Sequence, residues 1–158
     1  MDLTYRPRRL RRTNSLREMV RENTVSASDF IYPLFVHEGS DTQEIAAMPG
    51  TSRWPIDGLI DEVKRAWNLG IRCVVIFPKV PDEQKTEDGA ECFNEKGLIP
   101  RTIERLKKEI PEMCVMTDVA LDPYSCDGHD GIVSDDGIIL NDATVNYLCK
   151  QAVVQARA

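Results

Sequence analysis

The chain has 158 residues, of which 42% are hydrophobic, 29% charged and 6% aromatic. This balance fits one soluble domain, or part of one, and excludes a disordered tail. No apolar run approaches the roughly 18 residues that a spanning helix needs, and no short apolar stretch of an export signal follows the basic start, so no membrane contact and an intracellular location are expected. Five cysteines (Cys73, Cys92, Cys114, Cys126 and Cys149) form no CxxC pair, which reads as a set of reduced thiols. The net charge of -6 hides an asymmetry: residues 1–22 carry seven Arg against three acids, and the remainder carries thirteen bases against twenty-three acids. A basic arm precedes an acidic body.

The arm contains RPRRLRR, which places Arg6, Arg8, Arg9, Arg11 and Arg12 within seven residues. Nucleic-acid binding would want aromatic side chains among the bases, and Tyr5 alone is thin support. A transit peptide would be poor in acids, yet Asp2, Glu18 and Glu22 interrupt the region. Complementary charge on the acidic body of a neighbouring copy is the favoured partner, with a solvated basic tail as the alternative. Asn14 opens a short helix with Leu16, Met19 and Val20 on one face and a Ser or Asn cap.

FIYPLFV at 30–36 reads as a buried first strand containing one proline irregularity. Leu59, Ile60, Val63, Ala66 and Trp67 lie at helical spacing between Asp57 and Leu69, with Gly70 as the terminating residue. CVVIF at 73–77 is a second strand, expected to stop at Pro78, and a long polar loop, functional or mobile, follows from Pro81 to Lys96. A helix from Pro100 to Glu109 leads to a third strand, CVMTDVAL at 114–121. Beyond it come an Asp/Gly loop, a hairpin-like SDDGIIL around Gly137, and a last helix from Asn141, which is expected to cap it. Cys73 and Cys114 read as core, Cys149 as the inner face of the last helix, and Trp54 and Trp67 as packing. The order strand, helix, strand, helix argues a parallel α/β architecture. About three βα units are too few for a closed eight-stranded barrel of roughly 250 residues, and the last helix runs to Ala158 as if the chain were cut short.

Polar groups concentrate in DVALDPYSCDGHDGIVSDD, residues 118–136, with six Asp, His129 and no Lys or Arg. Asp118 is expected inside the end of the third strand and the rest in the loop beyond, where α/β folds place their sites. Such a loop could bind a hard cation, bind an ammonium group, or hold an acid/base carboxylate. Asp127, Asp135 and Asp136 read as turn residues that bond backbone N–H groups, leaving Asp118, Asp122 and Asp130 as candidates. Counted from Asp122, an EF-hand fails at Asp127 and Val133. Cys126 and His129 lack a second ligand pair for zinc, His37 lies on a different strand end, and a Cys126–His129 thiol mechanism would have no rigid support. Neither GxGxxG nor GxxxxGK[ST] occurs. Lys79, in FPKV at a strand end, could form a Schiff base if desolvated, but a lysine reaching to solvent is the simpler reading.

RPRRLRR, FIYPLFVHEG, MPGTSR, GIRCVVIFPKV, GLIPRTI and, above all, TDVALDPYSCDGHDGIV followed by LCKQAVVQARA resemble the amino-terminal half of the porphobilinogen synthase (5-aminolevulinate dehydratase) family. The resemblance implies a TIM (β/α)8 barrel, here an arm at 1–28 and the first half of the barrel at 29–158. It implies condensation of two 5-aminolevulinate molecules to porphobilinogen, octamers joined through the arm, and a location in bacterial cytoplasm or the chloroplast stroma of a plant or alga. Zinc-dependent members hold their metal on three cysteines, and the matching positions here are Ala120, Asp122 and Asp130. Alanine cannot ligate and carboxylates suit harder cations, so the resemblance is to magnesium-type members and no zinc is expected. Asp118, Asp122 and Asp130 would line the pocket, with Asp122 and Asp130 as candidate metal ligands. The family's two Schiff-base lysines and its allosteric Mg2+ ligand belong to carboxy-terminal motifs that do not occur here, so this chain alone is expected to be inactive. Two rivals are a noncatalytic partner of full-length subunits and a magnesium phosphotransferase, the latter lacking a nucleophilic Asp after FIYPLFVHEG.

Overall fold

A computed structural model describes residue 4 and residues 7–158, so Tyr5 and Arg6 of the arm lie outside the described residues. In chain order the elements are α1 (Asn14–Met19), β1 (Ile31–His37), β2 (Gln43–Glu44), β3 (Ser52–Trp54), α2 (Ile56–Asn68), β4 (Cys73–Lys79), α3 (Leu98–Glu109), β5 (Cys114–Thr117) and α4 (Asn141–Arg157). Short 3-10 turns occupy Arg9–Arg11, Ala27–Asp29, Asp82–Gln84 and Ala90–Phe93.

The two longest apolar runs become the two longest strands. β1 and β4 pair in parallel over their whole length, from Ile31 opposite Cys73 to His37 opposite Lys79. β5 adds in parallel on the far side of β4, and the sheet order is β2-β3-β1-β4-β5. Each of β1, β4 and β5 is succeeded by one of the helices α2, α3 and α4, so the three expected βα units are present. Alternate strand residues Leu34, Val36, Val74 and Ile76 are buried against Leu59, Ile60 and Val63 of α2 and Ile99, Ile103 and Leu106 of α3. Complete burial of such a side chain contributes roughly 1.5–3 kcal/mol, so this layer dominates the fold. Gly70 ends α2 at φ +97°, a conformation that a Cβ would strain.

Several boundaries differ from expectation, each for a local reason. Pro78 does not stop β4: it pairs opposite Val36, while β5 ends at Thr117 opposite Ile76. At that level β4 is an edge on the β5 side, where proline is tolerated. β5 ends at Thr117, so Asp118 lies just past the strand instead of within it. The cap of α1 is Thr13, whose hydroxyl accepts from the Leu16 N–H at 3.2 Å, in place of Ser or Asn. The Asn141 side chain bonds Asp142 and does not cap α4, whose N-cap position is Leu140. Cys114 and Cys149 are exposed instead of packed, while Cys73 is half-buried. The strands β2 and β3 were not expected, because two and three residues are too few to show a period of two.

From Pro7 to Ser26 every residue is exposed except the half-buried Leu16, so the described part of the arm stands off the body.

Candidate functional site

The site is built at the carboxyl ends of the parallel strands. Past Thr117 the chain runs through Asp118, Val119 and Ala120 and then drops Leu121, Tyr124 and Ser125 into the interior. Helix α4 fixes this segment through two glutamines one turn apart. Gln155 receives the Thr117 hydroxyl on its Oε1 at 2.8 Å and donates from Nε2 to the Asp118 carbonyl at 3.1 Å. Gln151, fully buried, donates from Nε2 to the Ala120 carbonyl at 3.1 Å. Buried carbonyls need such partners, and here two side chains of the following helix supply them.

The three candidate carboxylates fall into one neighbourhood. The Asp122 carboxyl is raised above its ordinary value, first by desolvation and then by the negative charges of Asp130 and Asp118. Asp130 folds back on the segment, accepting the Leu121 N–H on Oδ1 at 2.7 Å. Asp127 behaves as a turn residue: it takes the Ser125 hydroxyl and the His129 N–H, and both hold its carboxyl below the usual range. Asp135 and Asp136 are exposed in the turn closed by Gly137, beside a single antiparallel bridge between Val133 and Ile139.

The long loop after β4 is tied to this acidic segment. Thr86 pairs in parallel with Ser125, its N–H donating to the Tyr124 carbonyl at 3.2 Å and its carbonyl accepting from the Cys126 N–H at 3.1 Å. The Asp88 carboxylate accepts the Thr86 hydroxyl at 2.6 Å and the Tyr147 hydroxyl of α4 at 2.8 Å. A second small core of Val80, Cys92, Leu121 and Tyr124 lies beneath. The sequence marked the loop as functional or mobile but did not reveal these anchors. The one available signal was the spacing of Gln151 and Gln155, polar residues at i and i+4 on the face of α4 that is buried.

Other candidates are placed apart. Lys79 is exposed at the end of β4. His37 is buried with both ring nitrogens engaged, Nδ1 accepting from the Gly39 N–H at 3.1 Å and Nε2 lying 2.9 Å from the Asp41 carbonyl. A cleft of about 440 Å³ lined by Trp67, Asn68, Ile110 and Pro111 sits at the opposite end of the strands, away from the carboxylates.

The family model for delta-aminolevulinic acid dehydratase matches residues 4–158. The chain belongs to the delta-aminolevulinic acid dehydratase family. It is 55% identical over 160 residues to the chloroplastic delta-aminolevulinic acid dehydratase of Oryza sativa subsp. japonica, covering 100% of this chain and 37% of the relative. The chloroplastic relative of Chlamydomonas reinhardtii is 54% identical, covering 99% of this chain and 41% of its own. The crystal structure of the Toxoplasma gondii ME49 dehydratase in complex with the reaction product porphobilinogen superposes with a TM-score of 0.93 at 47% identity, covering 98% of this chain and 44% of that one. The chain thus spans about two fifths of the length of the curated relatives it matches.

Delta-aminolevulinic acid dehydratases are generally metal-dependent. Among the described residues no three His, Cys, Asp or Glu side chains gather closely enough to hold a metal ion. Asp122 and Asp130 offer hard oxygen donors, but Asp130 already has one oxygen on the Leu121 N–H. The carboxylates of the described residues do not build a cation cage by themselves.

Proposed function

We propose that this chain forms the arm (1–28) and the first three βα units (29–158) of a TIM-barrel porphobilinogen synthase, the lyase of tetrapyrrole biosynthesis that condenses two 5-aminolevulinate molecules to porphobilinogen. The observation that carries the reading is the 47% identity and TM-score of 0.93 to an enzyme crystallised with porphobilinogen. The acidic strand-end segment supports it chemically: Asp118, Asp122 and Asp130, with no Lys or Arg between 118 and 136, suit the ammonium end of an amino-ketone substrate. Asp118 and Asp122 stand where that group would be held, and Asp130 orients the segment through the Leu121 N–H.

The finer readings rest on sequence. Ala120, Asp122 and Asp130, at the cysteine positions of zinc-type members, favour a magnesium requirement over zinc, with the cation held outside this chain. The exposed basic arm and the acidic body favour an octamer in which the arm lies on a neighbouring subunit. Relatives named chloroplastic favour a plastid location if the source is a plant or alga. The Schiff-base lysine motifs are not among these residues, so the 158-residue chain by itself should not turn over. As a second reading, the same exposed arm would let the chain bind full-length subunits without catalysing.

The decisive experiment grafts this chain in place of the matching part of the rice relative and measures porphobilinogen formation. An active chimera is expected, with Asp122→Ala lowering turnover at least tenfold while light scattering shows the assembly unchanged. A correctly assembled but inactive chimera would overturn the proposal. In parallel, borohydride with labelled 5-aminolevulinate should leave the 158-residue chain unlabelled; stoichiometric label on Lys79 would contradict it.

A further inference from the structure

Helix α4 runs back alongside the segment past β5, and its two buried glutamines meet that segment in reverse order. Gln151 reaches the Ala120 carbonyl, and Gln155, one turn later, reaches the Asp118 carbonyl two residues earlier. Four residues of helix rise about 6 Å, close to the roughly 6.6 Å that two residues of extended chain cover, so one helix face addresses two alternate carbonyls. The Gln155 carboxamide is held at both ends. Its Oε1 can only accept, so the Thr117 hydroxyl donates to it, which leaves Nε2 turned toward Asp118. Gln151 and Gln155 are 1% and 8% exposed, so packing fixes both side chains in place. Just beyond, Asp130 holds the Leu121 N–H. Both partners of each bond lie within residues 117–155, so closing the barrel requires none of them to break.

This grip frames the two carboxylates assigned to the substrate ammonium group. The Asp118 backbone is held directly, and Asp122 follows the held residues Ala120 and Leu121. We propose, resting on the porphobilinogen synthase reading, that Gln151 and Gln155 are positioning residues that set where Asp118 and Asp122 present their oxygens to the ammonium group of 5-aminolevulinate. Both glutamines hold backbone carbonyls, so they act through the aspartates and not on the substrate. A displacement of about 1 Å caused by a residue remote from the chemistry can cost roughly a hundredfold. Here the displaced groups bind the amine, so the loss falls on affinity for the amine. The ketone end is expected on the Schiff-base lysines outside these residues and does not feel the shift.

The test uses the chimera with the rice relative, which supplies the remainder of the barrel. It compares 5-aminolevulinate as substrate with 4-oxopentanoate, the same keto acid without its amine, as competitive inhibitor. Gln151→Met and Gln155→Met keep the side-chain length and remove the donor. Each should raise KM for 5-aminolevulinate about tenfold, in line with the loss of one hydrogen bond to a buried carbonyl, while the inhibition constant of 4-oxopentanoate moves less than about twofold. Thr117→Val removes only the hydroxyl that orients Gln155 and should raise KM about threefold, whereas Thr117→Ser, which restores it, should bring KM back to within about twofold. These milder variants decide the matter should a glutamine variant fail to assemble. Equal weakening of substrate and inhibitor would mean that the glutamines merely hold the fold, and would overturn the proposal. So would an unchanged KM in assembled variants. A correctly assembled chimera that is inactive before any glutamine is changed would instead overturn the underlying porphobilinogen synthase reading.

Discussion

On the helix side of the sheet Leu34, Val36, Val74 and Ile76 are between 0% and 2% exposed beneath α2 and α3, whereas on the other side Ile31 and Met116 are 50% and 43% exposed. Further along that open side Phe35 and Phe77 meet at a tilt with ring centroids 5.6 Å apart yet remain half-buried. Both sides are made of the same apolar residue types, because FIYPLFV and CVVIF lack the alternation of a half-solvated strand. Continuous apolar strands belong to sheets covered on both faces. The difference teaches that an apolar run specifies how much cover a strand requires and leaves open which segment supplies it. In the proposed barrel the open side faces the interior.

The most severe way to break this comparison is to delete the same kind of side chain on either side of one strand. Ile76→Ala, on the covered side, should cost about 2–5 kcal/mol because the site cannot collapse around the lost atoms. Val75→Ala, its half-buried neighbour on the open side, should cost less, about 1 kcal/mol, since part of its area stays in water and the open side can relax around the lost methyls. Urea unfolding midpoints of the two variants decide the matter. Equal losses would mean that the open side is covered in solution, by self-association or otherwise.

A subtler contrast lies within the covered side, which carries a buried carboxylate, Glu62. Tyr32 projects from β1 toward α2, and its hydroxyl donates to Glu62 Oε1 at 2.7 Å while Arg65 Nε donates to Oε2 at 2.8 Å. The Arg65 bond, with the Tyr32 bond and the positive charge of Arg65 behind it, outweighs desolvation and lowers the Glu62 carboxyl from 4.5. A carboxyl with a depressed folded value binds its proton more weakly when folded, so its contribution is complete above 4.5 and fades as pH falls through the folded value. Glu62→Gln should therefore cost about 1–3 kcal/mol near neutrality, and the gap to the unsubstituted chain should narrow in acid. Urea midpoints of both chains across that range test the sign; a gap that widens on acidification would contradict it.

These residues also mark where the sequence was legible. The apolar runs located β1 and β4, and helical spacing located α2 and α3, because burial of one face imposes a period that the eye can count. The acidic segment was legible for the same reason, as six Asp without a counter-charge are conspicuous on the page. What remained hidden depends on partners distant in sequence. Glu62 sits among the apolar positions of α2, and its buried placement makes sense only once Tyr32, thirty residues earlier, is beside it. Gln151 and Gln155 look like ordinary helix residues until the strand-end carbonyls of Ala120 and Asp118 are found facing them. The tether from Thr86 to Ser125 joins the long loop, read as functional or mobile, to the acidic segment, and no local pattern announces a two-residue bridge.

The smallest expected effect on stability, and the sharpest on behaviour, comes from placing a charge on the open side. Met116 lies on β5, at the end of the sheet order, with 43% of its surface exposed. Because that side chain keeps much of its surface in water and a lysine stem can cover the same apolar area, Met116→Lys should change stability by no more than about 0.5 kcal/mol. Its effect on association should be larger, since an apolar edge strand is a template for pairing with another chain and a lysine there opposes it. Dynamic light scattering should show the unsubstituted chain self-associating with concentration and the variant remaining smaller, with unfolding midpoints nearly equal. A variant that loses stability like Ile76→Ala would show that Met116 is packed after all, and the two sides of the sheet would then differ less than their exposures state.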